Sequence, residues 1–431
     1  MSETTISFVT LGCPKNQVDS EFIASALDAP ENRITHGEDY ADIVLINTCG
    51  FIHDAREQSV DTILEYAEAR KEGKIKHLIV FGCLVEKYRQ QLQSEISEVD
   101  FWFGVNDAQK IIEHIRISGE MPKARENKLL STPGHYAYLK ISEGCDRQCS
   151  FCAIPGIRGK HISRPMEEII GEATQLVRNG VKELIVIAQD TTYYGLDIYG
   201  KRKLPELMDK LATLSGAMRI RLHYTYPAGF PVELIDVMAR HKNICNYIDI
   251  PFQHVDDNIL LKMKRFHTSE DIENLIGLFR KKIPGIHIRT SLICGFPGES
   301  RAEYNKLTAF LKKHRLERVG VFAYSHEEDT DAGSMADDVP HTTKLRRVQN
   351  IFAAQEKISL ELNLNKVGTT LEIIVDEVYD KYLLGRTEFD SPEIDNLVTV
   401  HLKKHHTFNP GDIISVRIIG ADAWDLIAEP L

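Results

Sequence analysis

No window of the 431-residue chain approaches the ~18 continuous apolar residues of a membrane-spanning helix. The opening MSETTISFVTLGC also lacks the basic stretch and apolar run of a secretory leader. Both absences predict a cytoplasmic protein without a membrane partner. A positive excess is missing too, because 52 Lys and Arg against 63 Asp and Glu leave a net charge of −11. Whole-chain charge therefore points away from nucleic acid and anionic membranes, toward a neutral or basic partner. Short-period repeats and low-complexity tracts are absent. With 43% hydrophobic and 27% charged residues, the composition is that of ordinary globular protein, which excludes wholesale disorder. At ~150 residues per domain the length predicts about three domains.

A cytoplasmic setting is reducing, so the eight cysteines are read as metal or redox ligands before disulfides. They fall as Cys13, Cys49 and Cys83, then Cys145, Cys149 and Cys152, with Cys245 and Cys294 as structural outliers. The first ~120 residues alternate apolar strands with helical periods, the pattern of an open parallel α/β sheet. TISFVTL precedes Cys13, ADIVLINT precedes Cys49, and HLIVFG precedes Cys83. Each of these cysteines stands at the carboxyl end of a strand, where ligands gather in such sheets. After Cys49, residues Ile52, Val60, Ile63, Leu64 and Ala67 predict one buried helical stripe, with Asp54, Glu57 and Asp61 facing away.

Residues 121–134 lose periodicity and collect Pro, Gly and charge, as a linker does. Beyond them, YAYLKIS, ELIVIA, MRIRLHY, NYIDI, IHIRTSLI and RVGVFA alternate with helical segments and predict a barrel or partial (β/α)6 barrel over 135–364. From 365 to 431 short alternating strands and an NPGD turn predict a small antiparallel barrel related to the oligonucleotide-binding fold. Its charge opposes a nucleic-acid role: six basic residues face twelve acidic ones.

EGCDRQCSFCAIP holds C-x3-C-x2-C just after the first strand of the central region. Three thiolates this close can hold three irons of a cubane cluster and leave the fourth iron open. A zinc site would want a fourth ligand, and no Cys or His stands at finger spacing, His161 being nine residues past Cys152. This arrangement resembles the radical S-adenosylmethionine superfamily, in which the open iron chelates S-adenosylmethionine and reduction yields a 5′-deoxyadenosyl radical. LGCPKNQVDSE, NTCGFIHDAREQS at 47–59, FGC at 81–83, EGCDRQCSFCAIPGIRGKHISRP and GFPGE at 295–299 narrow the resemblance to the methylthiotransferases, across essentially the whole chain.

That resemblance implies a methylthiotransferase domain over 1–120 with an auxiliary [4Fe-4S] cluster on Cys13, Cys49 and Cys83. It implies a radical domain with a second [4Fe-4S] cluster on Cys145, Cys149 and Cys152, and a terminal TRAM domain. S-adenosyl-L-methionine and an electron donor are the implied co-reactants. GCPKN resembles the branch that modifies an aspartate β-carbon in a small-subunit ribosomal protein, free or on the ribosome. The alternatives are the branch that modifies tRNA adenosine and a non-catalytic iron–sulfur scaffold. The acidic carboxyl-terminal domain favours a basic protein substrate over direct contact with nucleic acid.

Three further side chains are candidate contacts for S-adenosylmethionine. Phe151 lies between two cluster cysteines, where the resemblance puts an aromatic near the adenine. Gln189, with Asp190, follows the second barrel strand. Arg289, in the fifth, suits either the cofactor carboxylate or an internal ion pair.

Overall fold

The computed structural model describes residues 3–37, 40–117, 128–402 and 407–431, so much of the expected 121–134 linker lies outside the described residues. The chain forms two compact units. The first comprises 1–131 with 143–146 and 153–161; the second comprises 132–142, 147–152 and 162–431. Among the described residues no helix is long and apolar enough to cross a membrane.

In the first unit five parallel strands, β1 (Thr4–Thr10), β2 (Asn32–His36), β3 (Ile43–Thr48), β4 (His77–Gly82) and β5 (Phe101–Phe103), lie in the order β2-β1-β3-β4-β5. Sequence pattern marked β1, β3 and β4; the two edge strands are new. Apolar side chains leave the sheet on both faces. Ile63, Tyr66 and Ala67 join Val44, Ile46 and Val80 on one side. On the other, Ile23, Leu27, Ile111 and Ile115 join Phe8, Leu45 and Ile79. Strand order reverses between β1 and β3, the place where doubly wound sheets open a ligand crevice.

The helix His53–Lys71 corrects one expectation. Its buried positions are Ser59, Ile63, Tyr66, Ala67 and Ala69, while Ile52 and Leu64 are exposed. The buried face thus runs through Ser59 and Tyr66 instead of Ile52 and Leu64.

The second unit holds six parallel strands: β6 (Tyr136–Lys140), β7 (Glu183–Ile187), β8 (Arg219–Leu222), β9 (Tyr247–Asp249), β10 (His287–Cys294) and β11 (Arg318–Ala323). They form two three-stranded sheets, β8-β7-β6 and β9-β10-β11, linked by a parallel bridge from Ile220 to Ile244. This is the expected six-unit partial barrel. Cys245 and Cys294 are buried in it.

The terminal strands β12 (Thr370–Val378), β13 (Tyr382–Thr387), β14 (Val398–His401), β15 (Ile413–Ala421) and β16 (Leu426–Pro430) close a five-stranded barrel around Ile373, Val375, Leu383, Val400 and Val416. Its pairings are antiparallel except β14 with β16, which is parallel. The NPGD turn brings Gly411 against His135: at φ +91 a Cβ there would sit 2.8 Å from the His135 Cβ.

Part of the terminal barrel's acidic surplus is turned inward. Asp376 accepts two hydrogen bonds from Arg386 and meets His135 Nε2 at 2.7 Å. Glu388 accepts from the Asn246 N–H, Asp390 from Arg318, Glu393 from the Tyr136 hydroxyl, and Asp395 from the Tyr247 hydroxyl. Five of the twelve carboxylates are therefore committed to the central barrel or to the arginines lining it, and net charge alone does not identify a basic partner.

Candidate functional site

Cys13, Cys49 and Cys83 leave β1, β3 and β4 beside the strand-order reversal. Cys13 lies between Gly12, whose φ of +92 turns the chain, and Pro14, which opens the helix Pro14–Leu27 where no N–H is needed. The Cys49 N–H is capped by Ser59 Oγ at 3.0 Å. Cys83 begins the helix Cys83–Glu95 directly after β4.

Asn16 ties these loops together. Its Nδ2 donates to the Leu11 and Thr48 carbonyls at 2.8 and 3.1 Å. That orientation turns Oδ1 toward the thiols, 4.0 Å from the Cys13 sulfur and 3.8 Å from that of Cys83. Space is tight, since a Cβ on Gly12 would fall 2.7 Å from the Cys49 Cβ. Burial pushes the Cys83 thiol up to about 12 and raises that of Cys49; the Arg158 charge opposes both shifts, and the neighbouring thiols reinforce them. A buried, protonated thiol is inert until a metal displaces its proton.

Cys145 also belongs to this unit, its N–H donating to the Gly159 carbonyl at 3.0 Å. Cys149 and Cys152 belong to the second unit. There the Cys149 sulfur lies 3.6 Å from the Tyr226 hydroxyl and receives Arg265 Nη1 at 3.4 Å. The Tyr226 ring has the Arg147 and Arg265 guanidinium carbons 3.9 and 4.0 Å from its centroid. Arg265 stands between Lys264 and Phe266, both at φ 54, a left-handed conformation that costs non-glycine residues energy. Phe151 packs with Ile259, Met263 and Phe296. Gln189 is half-buried just beyond β7, and the adjacent Asp190 accepts from Arg147 Nε at 2.7 Å.

Arg289 is an internal ion pair. Its Nη1 donates to Asp249 at 2.8 Å and its Nε lies 3.3 Å from Asp395. Burial raises the Asp249 carboxyl, but Arg289, His223 and the Tyr224 N–H together outweigh it and hold that group well below the usual range.

The sequence reading did not single out Asn16, Arg147, Arg158, Tyr226 or Arg265. Asn16 and Arg158 stand inside the quoted GCPKN and CAIPGIRG stretches, so position relative to the cysteines was the available signal.

Comparison with known proteins places these features. "Uncharacterized protein family UPF0004" matches residues 5–104, "Radical SAM superfamily" 139–311, and "TRAM domain" 367–431. Proteins named ribosomal protein uS12 methylthiotransferase RimO are similar throughout. The one from Christiangramia forsetii is 46% identical, covering 100% of this chain and 95% of its own. The one from Phocaeicola vulgatus is 46% identical with full coverage of both chains, and that from Bacteroides fragilis strain ATCC 25285 is 45% identical, also with full coverage. The chain belongs to the RimO family of radical S-adenosylmethionine methylthiotransferases. Solved structures share the fold: the radical S-adenosylmethionine methyltransferase TsrM from Kitasatospora setae has a TM-score of 0.56 at 14% identity, covering 77% of each chain. The cobalamin-dependent enzyme OxsB has 0.53 at 12%, covering 83% of this chain and 56% of its own.

Membership of the RimO family brings an iron–sulfur cluster and S-adenosylmethionine, and the thiols of the first unit fit such a group. Three come from three strand ends, with the Cys13 and Cys83 sulfurs both within 4.0 Å of one amide oxygen, in a crevice where Gly12 leaves no room for a Cβ against Cys49. Among the described residues no three His, Cys, Asp or Glu side chains are set for one shared metal ion. A cubane instead takes each thiolate on its own iron.

Proposed function

We propose that this chain methylthiolates the β-carbon of an aspartate in ribosomal protein uS12. Cys13, Cys49 and Cys83 would hold one [4Fe-4S] cluster in the 1–120 domain. Cys145, Cys149 and Cys152 would hold a second, serving the 135–364 domain, with 365–431 as the TRAM domain. The observation that carries the reading is full-length similarity, at 45–46% identity, to proteins named for that reaction. An unactivated C–H offers no acidic proton, so acid–base chemistry cannot open it. The bound cofactors would supply one-electron cleavage of S-adenosylmethionine and a carbon radical able to abstract the hydrogen.

The protein's own side chains bind and orient. Asn16 fixes the loops that present Cys13 and Cys83. Arg265 and Tyr226 support the Cys149 sulfur, as groups around a ligating atom do. Phe151 and Gln189 are assigned to the S-adenosylmethionine side. Arg289, satisfied by Asp249 and Asp395, is assigned to an internal structural role. The reductant is an external electron donor.

Anaerobically reconstituted protein should carry about eight irons, and the Cys145/Cys149/Cys152 triple alanine variant about four. With S-adenosylmethionine and reductant it should release 5′-deoxyadenosine and add a methylthio mass to uS12. A mass gain on tRNA alone would replace this reading by the nucleic-acid branch, and the absence of any turnover would leave a scaffold.

A further inference from the structure

Arg158 lies six residues past Cys152, at the end of the short helix Ile154–Arg158, and is 3% exposed. Burying a guanidinium is costly unless every donor and the charge are answered. Here Nη1 donates to Glu143 Oε1 at 2.9 Å, while Nη2 donates to Asp19 Oδ2 at 3.1 Å and to Asn16 Oδ1 at 2.6 Å. Two carboxylates would suffice to hold a cation in place, yet this one is also aimed at the amide oxygen that faces the Cys13 and Cys83 sulfurs. Beside it, Cys83, Ala153 and Ile157 are buried and pack into one apolar cluster. A fixed positive charge in a buried setting acts strongly on a neighbouring redox group.

We propose that Arg158 is a positioning residue of the amino-terminal cluster, its guanidinium holding Asn16 and facing Cys83 so as to raise that cluster's reduction potential. The inference rests on the reading that Cys13, Cys49 and Cys83 hold a [4Fe-4S] cluster. Reduction adds negative charge to such a cluster. A guanidinium beside its sulfurs favours the reduced form, and hydrogen bonds toward the sulfurs act in the same direction. Asp19 and Glu143 have the complementary task of fixing the guanidinium so that it cannot swing to solvent. No established step needs Arg158 to exchange a proton, and its role is electrostatic.

The test uses the full-length Cys145/Cys149/Cys152 triple alanine protein, in which the amino-terminal cluster is the only one. Its midpoint is read by redox titration followed by electron paramagnetic resonance. Arg158→Gln should keep about four irons and shift the midpoint to a more negative potential. Arg158→Lys, which keeps the charge but loses the fork, should recover part of the shift. An unchanged midpoint in an iron-replete Arg158→Gln protein overturns the inference. Loss of iron from Arg158→Gln but not from Arg158→Lys supports it, because charge then decides retention. Loss from both, with helix content intact by circular dichroism, overturns the electrostatic role. If the triple alanine parent itself holds no iron, it is the cluster reading that fails.

Discussion

Arg386 Nη1 lies 2.8 Å from Glu183 Oε2, and neither side chain reaches solvent. Glu183 also accepts from Arg221 Nε at 2.7 Å, so one carboxylate from the start of β7 pairs with a cation of the central barrel and with a cation of the terminal one. Burial raises the Glu183 carboxyl, but Arg386, Arg221 and Arg219 together outweigh it and leave the group at about 2.

Glu183→Ala should therefore remove the acceptor that the two guanidinium groups share, leaving Arg386 with Asp376 and Arg221 with main-chain carbonyls alone. The expected loss is about 3–5 kcal/mol, the range for breaking a buried ion pair from one side. Urea denaturation of the full chain, followed by tryptophan fluorescence, measures it; a loss under about 1 kcal/mol, the scale of an exposed pair, would mean the network contributes little.

Acid should unfold the second unit in two stages. His267, lowered to about 4 by burial and then by Arg265, and His223 and His287, lowered chiefly by burial, have folded values below their ordinary 6.5. Below pH 6.5 the unfolded chain binds more protons at these sites, so stability starts to fall there. Glu183 and Asp390 both stand at about 2, below ordinary values of 4.5 and 3.8. Their contribution is complete above those ordinary values and is lost as pH falls toward 2. A Tm that rises between pH 6.5 and 5 would contradict the histidine assignment.

Gly12→Ala should empty the first cysteine trio without unfolding the sheet. The added Cβ meets the Cys49 Cβ at 2.7 Å on a backbone with φ +92, so Cys49 must move. Iron content is expected to fall from about eight to about four per chain, with circular dichroism unchanged. Full iron retention would show that the crevice has more slack than its geometry implies.

Arg265→Met removes the donor to the Cys149 sulfur and one of the two cations stacked on Tyr226. Release of 5′-deoxyadenosine should slow about 10–100-fold, the usual cost of losing a partner of a metal ligand. Chromatography of the released nucleoside, normalised to iron content, checks this. A rate equal to wild type would place Arg265 outside the working site.

The strand ends carrying Cys13, Cys49 and Cys83 were legible because a buried parallel strand reads as an apolar run and its carboxyl end is where the run stops. The order β2-β1-β3-β4-β5 was not, since pairing between Thr4 and Asn32 or Ile6 and Ile43 is set by packing across distance. Asn16 and Arg158 escaped for a related reason: their partners are 142 residues apart, and polar residues carry no periodicity. The terminal domain's charge pointed to the ribosomal-protein substrate for which the relatives are named, but the count alone was an incomplete argument. A net charge does not say which way carboxylates point, and Asp376, Asp390 and Asp395 turn to arginines and hydroxyls of this same chain.

Glu143–Asp146 and Ala153–His161 belong to the amino-terminal unit, whereas Arg147–Cys152 between them belongs to the other. No single cut in the gene divides the protein into two self-sufficient halves. A fragment ending near residue 131 would lack Ile157 and Ala153 against Cys83 and would leave Asp19 and Asn16 without Arg158. The complementary fragment would carry those residues with nothing to cover them. Recombination among relatives that swaps the front of the chain at any point before Ala153 therefore separates the sheet from the segment that packs on Cys83.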